Sequence, residues 1–127
     1  MLQRRAARET ALKCLYQMEV GGISAEEAME NLGVRDPYVT RLLTKITERR
    51  EELDERIRPL LKGWKLERLT YLDRAILRIG TYEILFEEEV PDAVAIDEAV
   101  ELTKKYSDDR SRPFINGILS QLMKEKK

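Results

Sequence analysis

Apolar residues recur three and four apart through most of the chain. Nowhere do they alternate with period two for long enough to demand a strand. The most apolar stretch is Trp64 to Phe86. In it Leu69, Leu72, Ala75, Ile76, Ile79, Tyr82 and Phe86 stack on one helical face, and Leu66, Leu77, Ile84 and Leu85 widen that face. A helix apolar over most of its circumference is buried on several sides. The pattern therefore predicts a central helix from about residue 64 to about residue 87, with the others packed around it.

The flanking elements carry their own start and stop signals. Ala7, Ala11, Cys14, Leu15 and Met18 predict a helix over residues 3–20, ended by Gly21-Gly22. Ser24 and Glu27 form a capping box for a second helix, which buries Ala25, Ala28, Met29 and Leu32 and stops at Gly33. Asp36-Pro37 supplies the N-cap and first residue of a third, whose stripe runs from Val39 through Leu42, Leu43, Ile46, Leu53 and Ile57 to Leu60. Pro59 should end or kink it, and Gly63 closes it. After Val90-Pro91, a helix over 92–106 buries Val94, Ile96, Ala99, Val100 and Leu102. A polar loop leads to Pro113, the candidate first residue of a last helix that buries Ile115, Ile118, Leu119 and Leu122 and frays over 124–127. Gly117 is expected to permit a close helix approach. Counting the third stripe as able to break, the expected fold is all-α, a bundle of about seven helices.

Composition narrows the chemistry. The 127 residues suit one domain with a real core, and charged residues make up 37% against 6% aromatic. There is no histidine, and the single cysteine, Cys14, falls inside an apolar stripe. That removes internal disulfides, the usual zinc sites and the commonest general base. No glycine-rich phosphate loop or nucleophile–base pair stands out, and Asp97-Glu98 and Asp108-Asp109 are adjacent pairs that do not face each other on a helix. A binding module, not an enzyme, and no cofactor are the expectation. No apolar run approaches a membrane span, and no signal peptide opens the chain, so a cytoplasmic location is expected.

The charge is unevenly spread although the net is −1. Residues 1–13 hold Arg4, Arg5, Arg8 and Lys13 against Glu9 alone, and residues 104–127 hold seven basic groups against three acidic. The segment between them has twenty acids and twelve bases. Basic ends on an acidic body suggest an anionic partner at the ends and a different partner for the body. Arg4, Arg5 and Arg8 sit three and four apart in the first turns of a helix, where the macrodipole makes each cation unfavourable by roughly 0.3–1 kcal/mol. Either function outweighs that cost or the arginines belong to a solvated terminus; the spacing alone leaves both open. Phe114 stands beside Arg110 and Arg112 at a helix start. It could stack a base between arginine–phosphate contacts or simply close the bundle, and by itself the second is the better reading.

Four blocks in order carry a resemblance. They are Arg4–Gln17 (RRAARETALKCLYQ), Asp73–Leu85 (DRAILRIGTYEIL), Val90–Leu102 (VPDAVAIDEAVEL) followed by Lys104–Ser107 (KKYS), and Phe114–Leu119 (FINGIL). Together they span nearly the whole chain, which resembles the NusB family of bacterial transcription antitermination factors. The resemblance implies an all-helical protein of two small subdomains built on three-helix bundles, here about 1–63 and 64–127. It implies binding to the boxA element of nascent RNA with NusE, a small-subunit ribosomal protein. The complex would join RNA polymerase to suppress termination, notably on ribosomal RNA operons, without catalysis.

Residue by residue, the resemblance puts the RNA face on Arg4, Arg5 and Arg8, with Phe114 beside it. It puts Tyr16, Glu67 and Asp73 toward NusE, Asp73 standing where glutamate is frequent. Some relatives have an acid just before the loop serine, where this chain has Arg110; its charge suggests a phosphate contact. The expectation is that the N-terminal arginines, Arg110, Arg112 and Phe114 form one RNA surface. The sequence leaves two other classes open. NusB-like domains occur fused to RNA cytosine methyltransferases, for which 127 residues leave no room. A homodimer could form through exposed apolar residues such as Tyr38 or Leu61.

Overall fold

The computed structural model describes residues 2–126. These residues are helical, with no strand among them. The elements are α1 (Arg4–Gly21), α2 (Ala25–Leu32), α3 (Pro37–Glu48), α4 (Arg50–Ile57), α5 (Tyr71–Phe86), α6 (Asp92–Tyr106) and α7 (Ser111–Glu125). Two 3₁₀ turns, Arg58–Leu61 and Leu66–Arg68, join α4 to α5. Helix α5 is the hub. It packs on α6 and α7 on one side and on α1, α3 and α4 on the other, while α2 and α3 close against α1. No helix among the described residues is long and apolar enough to cross a membrane.

Most boundaries follow local chemistry. The Ser24 hydroxyl accepts from the Glu27 N–H at 3.1 Å, and the Asp36 carboxylate accepts from Tyr38 and Val39. Gly22 and Gly33 take left-handed backbone at the ends of α1 and α2.

Four expectations change. The central helix begins at Tyr71, not Trp64, because the Thr70 hydroxyl caps the Asp73 N–H at 3.1 Å. Leu66 is still buried, from a 3₁₀ turn instead of a helical stripe. The long third stripe is two helices broken at Arg49, whose guanidinium lies 4.1 Å from the Phe86 ring centroid; Pro59 sits in the turn beyond. The last helix starts at Ser111, two residues before the expected first residue Pro113, which still falls in the first turn, where a missing N–H goes unfelt; the helix runs to Glu125, and Lys127 lies outside the described residues. Tyr38 and Leu61, the side chains suggested for a self-interface, are both in the core.

The close approach belongs to Gly80, not Gly117. A Cβ on Gly80 would lie 2.7 Å from Leu119 Cδ1, whereas one on Gly117 would meet nothing within 4 Å. This permits the intimate packing of α5, α6 and α7, with Ala99 on the same spot. Gly80→Ala should therefore destabilise by about 1–2 kcal/mol after its helix-propensity gain is counted. Gly117→Ala should instead stabilise by about 0.5–1 kcal/mol. Urea midpoints of the two variants check the opposite signs.

Candidate nucleic-acid interface

The first turns of α1 lie across the C-terminal half of α5 and along α6 from Glu98 to Tyr106. Arg5 makes a two-pronged contact with Glu98 of α6, Nε at 3.0 Å and Nη2 at 2.7 Å. Its guanidinium stays open to solvent, and the contact draws the Glu98 carboxyl below its ordinary range. Arg4 lies flat on the Tyr38 ring at 4.1 Å and reaches Glu89 at 3.4 Å. A turn later, Lys105 donates to Glu9 at 2.6 Å and Tyr106 donates to the same carboxylate, which holds Glu9 below its usual range. Arg5, Glu9, Glu98, Glu101, Lys104 and Lys105 thus line a groove of about 390 Å³ between α1 and α6.

Arg8 is placed differently from Arg4 and Arg5. It is 4% exposed, and its Nε lies 2.8 Å from both oxygens of Glu83, itself fully buried. Tyr38 donates its hydroxyl to the same carboxylate, and a further Arg8 nitrogen lies 3.5 Å from Glu98. Burial and the Glu83 charge push the Tyr38 hydroxyl pKa well above its ordinary value. Their spacing in the sequence predicts all three arginines on one side of the helix. The structure puts Arg8 in the core as the strut that ties α1 to α5 and α3. One turn along, Glu87 repeats the motif with Arg41 at 2.7 Å and the Tyr82 hydroxyl at 2.9 Å.

Arg110, Arg112 and Phe114 gather at the other end of α5. The Ser107 and Ser111 hydroxyls donate to the two oxygens of Asp73, at 2.7 and 3.0 Å, which pins the loop between α6 and α7 to the first turn of α5. Asp73 is 6% exposed and both its oxygens are engaged, so it is not an open docking acid. The Arg110 side chain is almost fully exposed and touches Asp108 at 3.3 Å. Arg112 Nε is 3.5 Å from Asp109, too far for a hydrogen bond, and has no other acceptor. Phe114 is half-buried, and its ring and that of Trp64 form a T-shaped pair with centroids 6.3 Å apart.

From Glu83 to Asp73 is ten residues, about 15 Å along a helix. The predicted RNA residues therefore form two clusters at opposite ends of α5 rather than one patch. Lys104 and Lys105 stand between them on α6. In the sequence they stand out only within a motif block; their position between the two clusters follows from the pairing of α1 with α6.

The residues assigned to a protein partner lie toward the start of α5. Tyr16 is 43% exposed. Leu15 and Met18 of the same helix line a groove of about 240 Å³ with Tyr71 and Ala75. Glu67 is exposed and holds Arg58 at 2.7 Å, which pulls its carboxyl down to about 2.

A family model described as the NusB family matches residues 5–124. This chain belongs to the NusB family. It is 45% identical to the transcription antitermination protein NusB of Geobacillus kaustophilus over 124 residues, covering 95% of both chains. Its fold matches a solved T. maritima NusB with a TM-score of 0.88 at 36% identity, over 98% of this chain and 92% of the other. A second solved NusB, in complex with NusE and double-stranded RNA, matches with a TM-score of 0.83 at 29% identity, over 96% of each. The NusB fold thus holds the two basic clusters at the two ends of one hub helix, with Glu67 just before its start.

Proposed function

We propose that this chain is a cytoplasmic transcription antitermination factor that binds boxA-type single-stranded RNA together with NusE, and that it works by binding rather than catalysis. The observation that carries this is the line of cations from Arg4 and Arg5, along Lys105 and Lys104, to Arg110 and Arg112, ending at Phe114. Such a line suits a phosphate backbone, and the aromatic at its end suits an unpaired base. Most of these cations are held by a carboxylate in the free protein, so RNA phosphates would exchange places with Glu98, Glu9, Asp108 and Asp109. Arg8 is left out of the contact set, because its guanidinium is engaged in the core; it sets the height and direction of the α1 arginines. Tyr16 and Glu67 offer a polar, acidic edge to the basic ribosomal protein, and Asp73 supports that edge from behind. The assembled complex would then associate with RNA polymerase.

The test is a titration of boxA-type and scrambled single strands with and without NusE. Preference for boxA, tightened by NusE, is expected. Equal binding of both strands with no response to NusE would overturn the reading.

A further inference from the structure

Trp64 is the most exposed large apolar side chain among the described residues, at 64%. Its position is not that of a frayed end. Lys62 takes a left-handed backbone conformation with φ 48°, Gly63 follows at φ 95°, and the Trp64 N–H closes the turn onto the Leu61 carbonyl at 3.1 Å. Leu61 and Leu66, on either side, are buried and anchor the turn. The backbone is thus held while the indole is turned outward, against the tendency of a large apolar ring to be covered.

The surroundings say what could cover it. Four other rings, those of Tyr38, Tyr71, Phe86 and Tyr106, have an arginine or lysine over them. Trp64 has none among the described residues, and the one aromatic ring near it there, Phe114, meets it at an interplanar angle of 66°, so no ring is stacked flat on the indole, which is 64% exposed. The flanking Lys62 and Lys65 have no carboxylate within 4.0 Å among the described residues, unlike Arg110 and Arg112 close to Phe114. The nearest acid in sequence, Glu67, is engaged by Arg58. An open aromatic face beside unpaired lysines suits a ligand that is flat and anionic. A nucleotide within a single strand has both properties. A basic ribosomal protein would be repelled by the same lysines.

We propose that Trp64 is a stacking platform for an unpaired base at the end of the bound RNA strand, with Lys62 and Lys65 holding the adjoining phosphates. This rests on the RNA-binding reading above and extends its surface beyond Phe114. The geometry makes Phe114 a buttress for the indole: the half-buried ring sets the edge, and the exposed ring receives the base.

The chain contains one tryptophan, so its emission reports on this site alone. Dye-labelled boxA-type single strand is titrated into the full chain, and anisotropy and tryptophan emission are followed together. Quenching that saturates with the anisotropy is expected. Trp64→Ala should weaken binding by about 5- to 100-fold, the range for losing one stacked base, and Trp64→Phe should recover part of it. Because the ring is exposed, both variants should unfold at the wild-type urea midpoint. Binding seen by anisotropy with unchanged emission, and with Trp64→Ala equal to wild type, would overturn the platform while leaving RNA binding intact. Emission that responds to NusE but not to RNA would overturn it in favour of a protein contact. No binding by anisotropy would overturn both readings.

Discussion

Glu83→Ala is expected to cost about 3–5 kcal/mol of stability, enough to unfold a domain of ordinary margin. The substitution leaves the Arg8 guanidinium in the core with only a 3.5 Å contact to Glu98, and it strips the Tyr38 hydroxyl of its acceptor. Arg8→Ala should be damaging for the mirror reason, leaving a buried carboxylate with Tyr38 alone. The pair does not act as two independent terms. Replacing Arg8, Glu83 and Tyr38 together by Met, Leu and Phe removes every charge and stranded donor at once. That triple variant should recover most of the loss, because a buried ion pair is often no better than a well-packed apolar substitute. Urea unfolding followed by circular dichroism gives the cycle. Single variants costing under about 1 kcal/mol would contradict the strut. The same triple variant also separates two roles for Arg8: RNA affinity should survive if the residue only positions α1.

Asp73→Ala is expected to act at the other end of α5. One carboxylate there accepts from two serine hydroxyls and, at 6% exposure, has little water to replace them. Hydrogen bonds to a charged group contribute about 1.5–3 kcal/mol each, and the shared acceptor makes the two less than additive. A loss of about 2–3 kcal/mol is expected. The loop from Ser107 to Ser111 would also come off the start of α5, and with it the placement of Arg110, Arg112 and Phe114. RNA binding should therefore weaken even at temperatures where the variant is folded. Asp73→Asn, which keeps one carbonyl acceptor, should fall between. Asp73→Lys places a cation in that buried spot, so failure of this variant to bind NusE would report on folding before it reported on docking. Amide hydrogen exchange across 107–111 is the direct check: wild-type protection in Asp73→Ala would contradict the pin.

How much of this could be read from the chain depends on how far apart the partners lie. The stripe Val39, Leu42, Leu43, Ile46 falls in the core because helical periodicity is a local signal. Thr70 with Asp73 three residues on was also readable as a helix start, and the apolar Trp64 and Leu66 masked it. Arg8 shows the limit in both directions. It lies three and four residues before Ala11 and Leu12, both buried, so its burial was legible in the same periodicity. Its partner Glu83 is 75 residues away, and only the packing of α1 on α5 brings them together. An acid inside the most apolar segment was the one hint. Glu98 and Glu9 were invisible for the same reason: their cations come from other helices. The separation of the proposed RNA-binding residues into two clusters likewise follows from the antiparallel lie of α1 on α5, which charge counting along the chain does not encode.

In the proposed complex, cations on α1 and α6 hold RNA by its phosphates. The most direct test is the salt dependence of boxA-type single-strand binding for wild type and for Arg5→Ala/Lys105→Ala, both substituted side chains lying on the groove and outside the core. Each lost phosphate contact on a single strand lowers the slope of log K against log salt by about 0.7. The double variant should bind more weakly at low salt, with a slope shallower by roughly 1.4. Wild-type affinity and an unchanged slope would show that neither Arg5 nor Lys105 contacts a phosphate.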